Sequence, residues 1–217
     1  MVSGVIRWRQ NGTNNADRRL NMSDRITRDQ GRLLLDMARN SIAHALAAPG
    51  TGKGKDVDAS FLNQKRGVFV SLHKQGLLRG CIGTIEPIST IKDAVNENAV
   101  FAALKDSRFS PVSRKELDQI DIEVSVLTQP VSLEYKDPDD LLSRLVPHQD
   151  GVVLQKGYRK ATFLPQVWAQ LPSAQAFLSH LCLKAGLNAD AWEKEQLTIS
   201  VYQVQSFSET QQAPEAQ

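Results

Sequence analysis

With 217 residues, the chain is long enough for one large domain or two small ones, and 41% hydrophobic with 23% charged residues is ordinary for a soluble globular protein. With a formal net charge of +2, the protein is not strongly attracted to nucleic acid or to an acidic membrane surface, so we expect neither partner. Two cysteines, Cys81 and Cys182, make no disulfide framework, and no apolar run approaches the ~18 residues of a membrane span, which favours a cytoplasmic protein with reduced thiols.

The ordered part of the chain is predicted to begin after a disordered tail over residues 1–21, which is rich in Asn and Arg. Met22 is an alternative start, which mass spectrometry of the native N-terminus would test. Thr27 and Gln30 form a capping box ahead of apolar residues at helical spacing, which predicts a helix ending near residue 48. The Gly- and Lys-rich residues 50–55 lack the order of a phosphate-binding loop and are predicted to be a solvated loop.

A hairpin is predicted next, because residues 67–73 alternate apolar and polar side chains and a turn over residues 74–76 leads to the segment LRGCIGT, residues 78–84. In a regular strand, Arg79 and Cys81 lie on one face. Glycine inside a strand has no side chain to pack and can mark the close approach of a ligand. This segment therefore has the composition of a site.

The remaining elements follow from capping residues, alternation and helical spacing. They are a helix from Thr90 to near Lys105, a loop over residues 106–111, a capped turn at Ser113, a strand over 120–127, a helix from Asp137 to about Leu145, strands over 152–155 and 161–164, helices over 166–170 and after Ser173, and a strand over 197–204. These elements show no regular β-α-β rhythm, so we expect an α+β fold with a mixed or antiparallel sheet flanked by helices. Residues 22–206 would form the domain and 207–217 a loose tail.

Five motifs, in order, resemble the AMMECR family, the A component of the AmmeMemoRadiSam system. They are VFVSL at 68–72, LRGCIGT at 78–84, DSRF at 106–109, IEVSVL at 122–127 and FLPQVW at 163–168. The resemblance covers roughly residues 24–206 and implies a compact two-lobed α+β fold. It also implies a Memo-like protein and a radical S-adenosylmethionine enzyme as partners. Because the family has no settled biochemical activity, the resemblance predicts the fold better than the function.

Cys81 is the leading candidate for chemistry. A neighbouring cation favours the thiolate, which is the reactive form of cysteine, and Arg79 would supply that cation. The alternative is that Cys81 is a small buried apolar residue, as free cysteines often are. Glu123 stands on a strand whose other face is aliphatic, so it is a solvated carboxylate, a partner of Arg79 or a general acid/base near Cys81.

Other residues are candidates for substrate binding. Arg108 can bind a carboxylate or phosphate with Asp106 holding it in place, although a local salt bridge explains the pair equally well. The remaining candidates are Gly80, Gly83, His73 and His148. His44 and His180 lie on predicted helices without partners at ligand spacing, so no metal site and no cofactor are expected.

Two functional interpretations remain open at this stage. The first is a cysteine-dependent enzyme acting on a small molecule or a modified protein group. The second is a non-enzymatic binding or adaptor module whose LRGCIGT face docks a partner protein.

Overall fold

The structure, a computed structural model, describes residues 25–48 and 59–210, and the chain forms two compact units. The N-terminal unit runs to Leu127 and includes the chain again from Gln205, and the inserted unit is Thr128–Val204. The predicted tail over 1–21, the loop over 50–55 and residues 211–217 lie outside the described residues.

Helices and strands alternate along the chain without a regular order. In chain order they are α1 (Arg28–Ala45), β1 (Val68–Lys74), β2 (Leu77–Thr84), α2 (Ile91–Leu104), β3 (Ile120–Leu127), β4 (Val131–Ser132), α3 (Pro138–Arg144), β5 (Gly151–Lys156), β6 (Arg159–Phe163), α4 (Ala174–Lys184), α5 (Ala191–Lys194), β7 (Thr198–Tyr202) and β8 (Val204–Ser208). Short 3-10 helices occupy Ser60–Asn63, Arg114–Gln119 and Pro165–Ala169.

The sheet of the N-terminal unit has the strand order β2-β1-β3-β8, and β1 pairs antiparallel with both β2 and β3. Its alternate residues, such as Val70 and Val124, pack in one core with the apolar faces of α1 and α2. Each such aliphatic side chain contributes about 1.5–3 kcal/mol on burial, so this face anchors the sheet to the helices. The opposite face is polar, and the candidate site lies there.

The inserted unit has its own sheet, with the order β4-β7-β5-β6, and its own core. Trp168 stacks on Phe177 with ring centroids 3.9 Å apart, and its indole N–H donates to the carbonyl of Asp150 at 2.7 Å. Trp192 is also buried. Both tryptophans therefore pack in the core of the inserted unit.

The α+β class is confirmed, and the pairings of β1 with β2 and β3, of β4 with β7 and of β5 with β6 and β7 are antiparallel. The last predicted strand, over 197–204, is β7, and the structure adds β8 in the other sheet, so order extends past residue 206. Glu209 binds Arg39 on α1 through both carboxylate oxygens, at 2.6 Å each. None of the described helices combines the length and the apolar character needed to cross a membrane.

Candidate functional site

A β-bulge in the hairpin decides which face of the sheet carries Cys81. Gln75 and Gly76 form the turn, both with positive φ, and Lys74 pairs with Leu77. Continuing that pairing regularly would place Cys81 opposite Val70, on the core face. Instead the register shifts by one residue at Arg79, so that Cys81 pairs with Ser71. Because a one-residue shift exchanges the two faces of a strand, the bulge moves Cys81 out of the core.

The polar face is the side of the sheet away from α1 and α2. We define it by Phe69, Ser71 and His73 of β1, Cys81 and Gly83 of β2, and Asp121, Glu123 and Ser125 of β3, which the strand register places together. These residues include a thiol, two hydroxyls, two carboxylates and an imidazole.

Cys81, Ser71 and Glu123 form a row across three adjacent strands. The hydroxyl of Ser71 lies 3.2 Å from Sγ of half-buried Cys81 and can donate to it. Ser71 is also directly opposite Glu123, whose Oε1 accepts from Ser125 Oγ at 3.4 Å. Because neighbouring strands are about 4.8 Å apart, Glu123 lies two strand spacings from Cys81, with Ser71 between them.

The backbone of Cys81 is held at the outer edge of the sheet by the loop that follows α2. Asp106 Oδ2 accepts from the Cys81 N–H at 2.8 Å, and Arg108 Nη2 donates to the Cys81 carbonyl at 3.1 Å. We call Asp106 and Arg108 the edge clamp. Since β2 is an edge strand, the clamp supplies the donor and acceptor that a further strand would otherwise provide.

The clamp residues are themselves tightly paired. Arg108 donates from Nε and Nη2 to the two carboxylate oxygens of Asp106, at 2.9 and 2.7 Å. These hydrogen bonds hold the pKa of the buried Asp106 carboxyl well below its usual range. Asp106 in turn raises the pKa of Arg108, and Cys81 makes smaller contributions in the same direction. The cation associated with Cys81 is therefore Arg108.

Arg79, predicted to activate Cys81, is bonded elsewhere. Its Nε and Nη2 donate to the carboxylate of Glu116 at 2.9 and 3.2 Å, and Lys74 donates to the same carboxylate at 3.1 Å. The hydrogen bonds from Arg79, followed by the one from Lys74, lower the pKa of Glu116 to about 2. The bulge is the physical reason, because it takes Arg79 out of the regular alternation with Cys81.

Both glycines of the motif have packing reasons. A Cβ on Gly80 would lie 2.2 Å from the carbonyl oxygen of Ala102, so helix α2 approaches β2 directly over this position. A Cβ on Gly83 would lie 2.4 Å from the ring of Phe69. Close protein packing accounts for the glycines, and their predicted contact with a substrate stays a prediction.

The two histidine candidates are in different units. His73 lies on the polar face, opposite Asp121 of β3. His148 belongs to the inserted unit and has φ of 64°. Across residues 25–48 and 59–210, no three His, Cys, Asp or Glu side chains are grouped so that they could hold a metal ion.

Ser71 is the site residue that the sequence did not single out. It occupies a polar position in the alternation of VFVSL, but only the bulged register places it beside Cys81. The signal for Ser71 in the sequence is a hydroxyl at a polar position of the strand predicted to pair with LRGCIGT.

These observations define a class: an α+β protein with two four-stranded sheets and a clamped cysteine on the polar face of one of them. The AMMECR1 family model matches residues 35–207, and the chain belongs to this family. A protein from Methanothermobacter thermautotrophicus is 40% identical over 85% of this chain and 96% of its own length, and one from Methanopyrus kandleri is 38% identical over 87% and 92%. The crystal structure of an uncharacterized protein from Pyrococcus horikoshii is similar with a TM-score of 0.67 and 33% identity, over 85% of this chain and 93% of that one.

Proposed function

We propose that the N-terminal unit is a cysteine-dependent enzyme acting on a small molecule or a modified protein group, with Cys81 as the nucleophile. The observation that carries the proposal is the 3.2 Å contact between Ser71 Oγ and Sγ of a half-buried, backbone-clamped cysteine. The Ser71 hydroxyl donates to the sulfur, and the Arg108 guanidinium is hydrogen-bonded to the backbone carbonyl of the same residue. Chemistry by a reduced thiol suits the cytoplasm.

The proposed route for the thiol proton uses the row of side chains. Ser71, which donates to Sγ in the resting structure, turns its hydroxyl proton toward Glu123 on the facing strand and takes the proton of Cys81, which leaves a thiolate and a neutral carboxyl group. The sulfur then forms a bond to an electrophilic carbon of the substrate. The electron pair displaced from that carbon takes the proton back from Glu123, so that charge and protons balance.

The proposal is tested with a panel of small thioesters and aldehydes, following turnover and the mass of the peptide that contains Cys81. We expect turnover or an adduct that Cys81→Ala abolishes and that Glu123→Gln slows about tenfold or more. Cys182→Ala is the matched control, because Cys182 is fully buried in the inserted unit. Unchanged turnover in Cys81→Ala, or modification of Cys81 only after unfolding, would refute the proposal.

A second candidate is a binding module that docks a Memo-like or radical S-adenosylmethionine protein, the partners that the family resemblance suggests. Leu77 and Leu78 support it, since they are 68% and 42% exposed at the start of the edge strand β2. An edge strand with exposed apolar residues is suited to pairing with another chain. Titration of the purified partner with wild type and with the double variant Leu77→Ser and Leu78→Ser tests this function, and equal affinities would exclude that surface.

A further inference from the structure

The guanidinium of Arg108 is fixed along one edge and open along the other. Nε and Nη2 donate to Asp106, and Nη2 also donates to the carbonyl of Cys81. The ring of Phe109 lies 5.4 Å from the guanidinium carbon. Nη1, with two N–H groups, has no acceptor in the part of the chain that the structure describes.

The open edge of Arg108 is accessible. The Arg108 side chain is 55% exposed, whereas the Asp106 side chain behind it is only 4% exposed. Arginine ordinarily loses conformational freedom when it binds a ligand, but this guanidinium is already held by three hydrogen bonds. Its free donors therefore form a prearranged site for an oxygen acceptor.

We infer that Nη1 of Arg108 binds an anionic oxygen group, a carboxylate or a phosphate, of the molecule whose reactive carbon meets Cys81. This inference rests on the proposed function and assigns its substrate class. Arg108 is bonded directly to the backbone of Cys81, so a ligand held by Nη1 is kept near residue 81. Asp106 balances the charge of Arg108 but occupies the opposite edge of the guanidinium, so the Nη1 hydrogens stay available.

Two alkylating reagents of nearly equal size test this inference, because iodoacetate carries a carboxylate and iodoacetamide does not. The rate of Cys81 labelling by each is measured on the full chain by peptide mass spectrometry, and the ratio of the two rates is compared with that of the same cysteine in urea. We expect the native ratio to exceed the unfolded ratio about fivefold, because only the folded chain presents the Arg108 donors.

Arg108→Gln should return the ratio to its unfolded value, and Arg144→Gln is the matched control, since Arg144 lies on α3 of the inserted unit. Inorganic phosphate should slow iodoacetate more in wild type than in Arg108→Gln. If both reagents label native Cys81 at the unfolded ratio, or if Arg108→Gln keeps a raised ratio, the inference is wrong while the proposed function stands. If neither reagent labels native Cys81, the proposed function fails and the substrate class fails with it.

Discussion

Replacing Asp106 with alanine removes the centre of the edge clamp. The Asp106 carboxylate accepts four hydrogen bonds, from the backbone N–H groups of Cys81 and Arg108 and from Nε and Nη2 of Arg108. Within residues 25–48 and 59–210, the other hydrogen bond from this loop to β2 is the one that Arg108 donates to the Cys81 carbonyl. Asp106→Ala should therefore both destabilise the unit and loosen the edge strand at Cys81.

The expected loss of unfolding free energy is estimated from the groups that Asp106→Ala leaves without a hydrogen-bond partner. An unpaired, partly buried N–H at Cys81 costs about 1–3 kcal/mol. The ion pair with the half-exposed Arg108 contributes only about 0–1 kcal/mol, because solvent screens it. The free energy of unfolding should fall by about 2–3 kcal/mol, which corresponds to a drop of about 4–12 °C in the unfolding midpoint for a chain of this size.

Thermal unfolding by circular dichroism measures the midpoint, and hydrogen exchange reports on the amide of Cys81. Asp190→Ala is the control, because Asp190 forms an exposed pair with Lys194 and its loss should leave the midpoint nearly unchanged. Equal midpoints for Asp106→Ala and Asp190→Ala, with equal exchange of the Cys81 amide, would refute the assignment of a clamping role to Asp106.

Three further predictions concern the hairpin and its surroundings. The folded-state pKa of Glu116, about 2, lies below its ordinary value of 4.5, so the stability that the ionised carboxylate contributes is complete above about pH 4.5 and is lost as pH falls toward 2. In urea titrations over that pH range, wild type should therefore lose stability more steeply than Glu116→Gln, and parallel curves of stability against pH would contradict this. Gln75→Asn should stabilise the protein by about 0.5–1 kcal/mol, because the turn holds Gln75 at φ of 52°, a conformation that asparagine tolerates better. A lower urea concentration at the unfolding midpoint of Gln75→Asn than of wild type would disprove this. Gly80→Ala should destabilise by about 2–3 kcal/mol or more, since its Cβ meets the backbone of α2 and not a movable side chain; wild-type stability in urea would show that the helix can move away.

The elements that the sequence predicts well are those determined by neighbouring residues. The capping boxes at Thr27 and Ser113 are present, and helix α3 is capped by Asp137 as expected. Strand β3 occupies residues 120–127 as its alternation predicts. Capping and strand alternation each involve residues only a few positions apart, so both can be recognised in the sequence alone.

The site depends on contacts that local patterns do not encode. A single bulge at Arg79 reverses the face of Cys81, and the two-residue turn by itself predicts the wrong register. Asp106 binds the Cys81 backbone across 25 residues of sequence. Strand β8 was missed because Gln205 and Ser206 make its segment polar, although alternate residues of β8 are buried or packed against the core.

The reactivity of Cys81 is tested most directly by the rate at which iodoacetamide alkylates it in the native protein at a single pH. Cys182 is an internal control in the same sample, because it is fully buried and burial raises the pKa of its thiol. We expect native Cys81 to be labelled while Cys182 is labelled only after unfolding, and Ser71→Ala and Arg108→Gln each to slow the labelling of Cys81 about threefold or more, because each removes a group beside that residue. Labelling of Cys81 only together with Cys182 on unfolding, or equal labelling rates in all three proteins, would contradict a reactive thiol at this site.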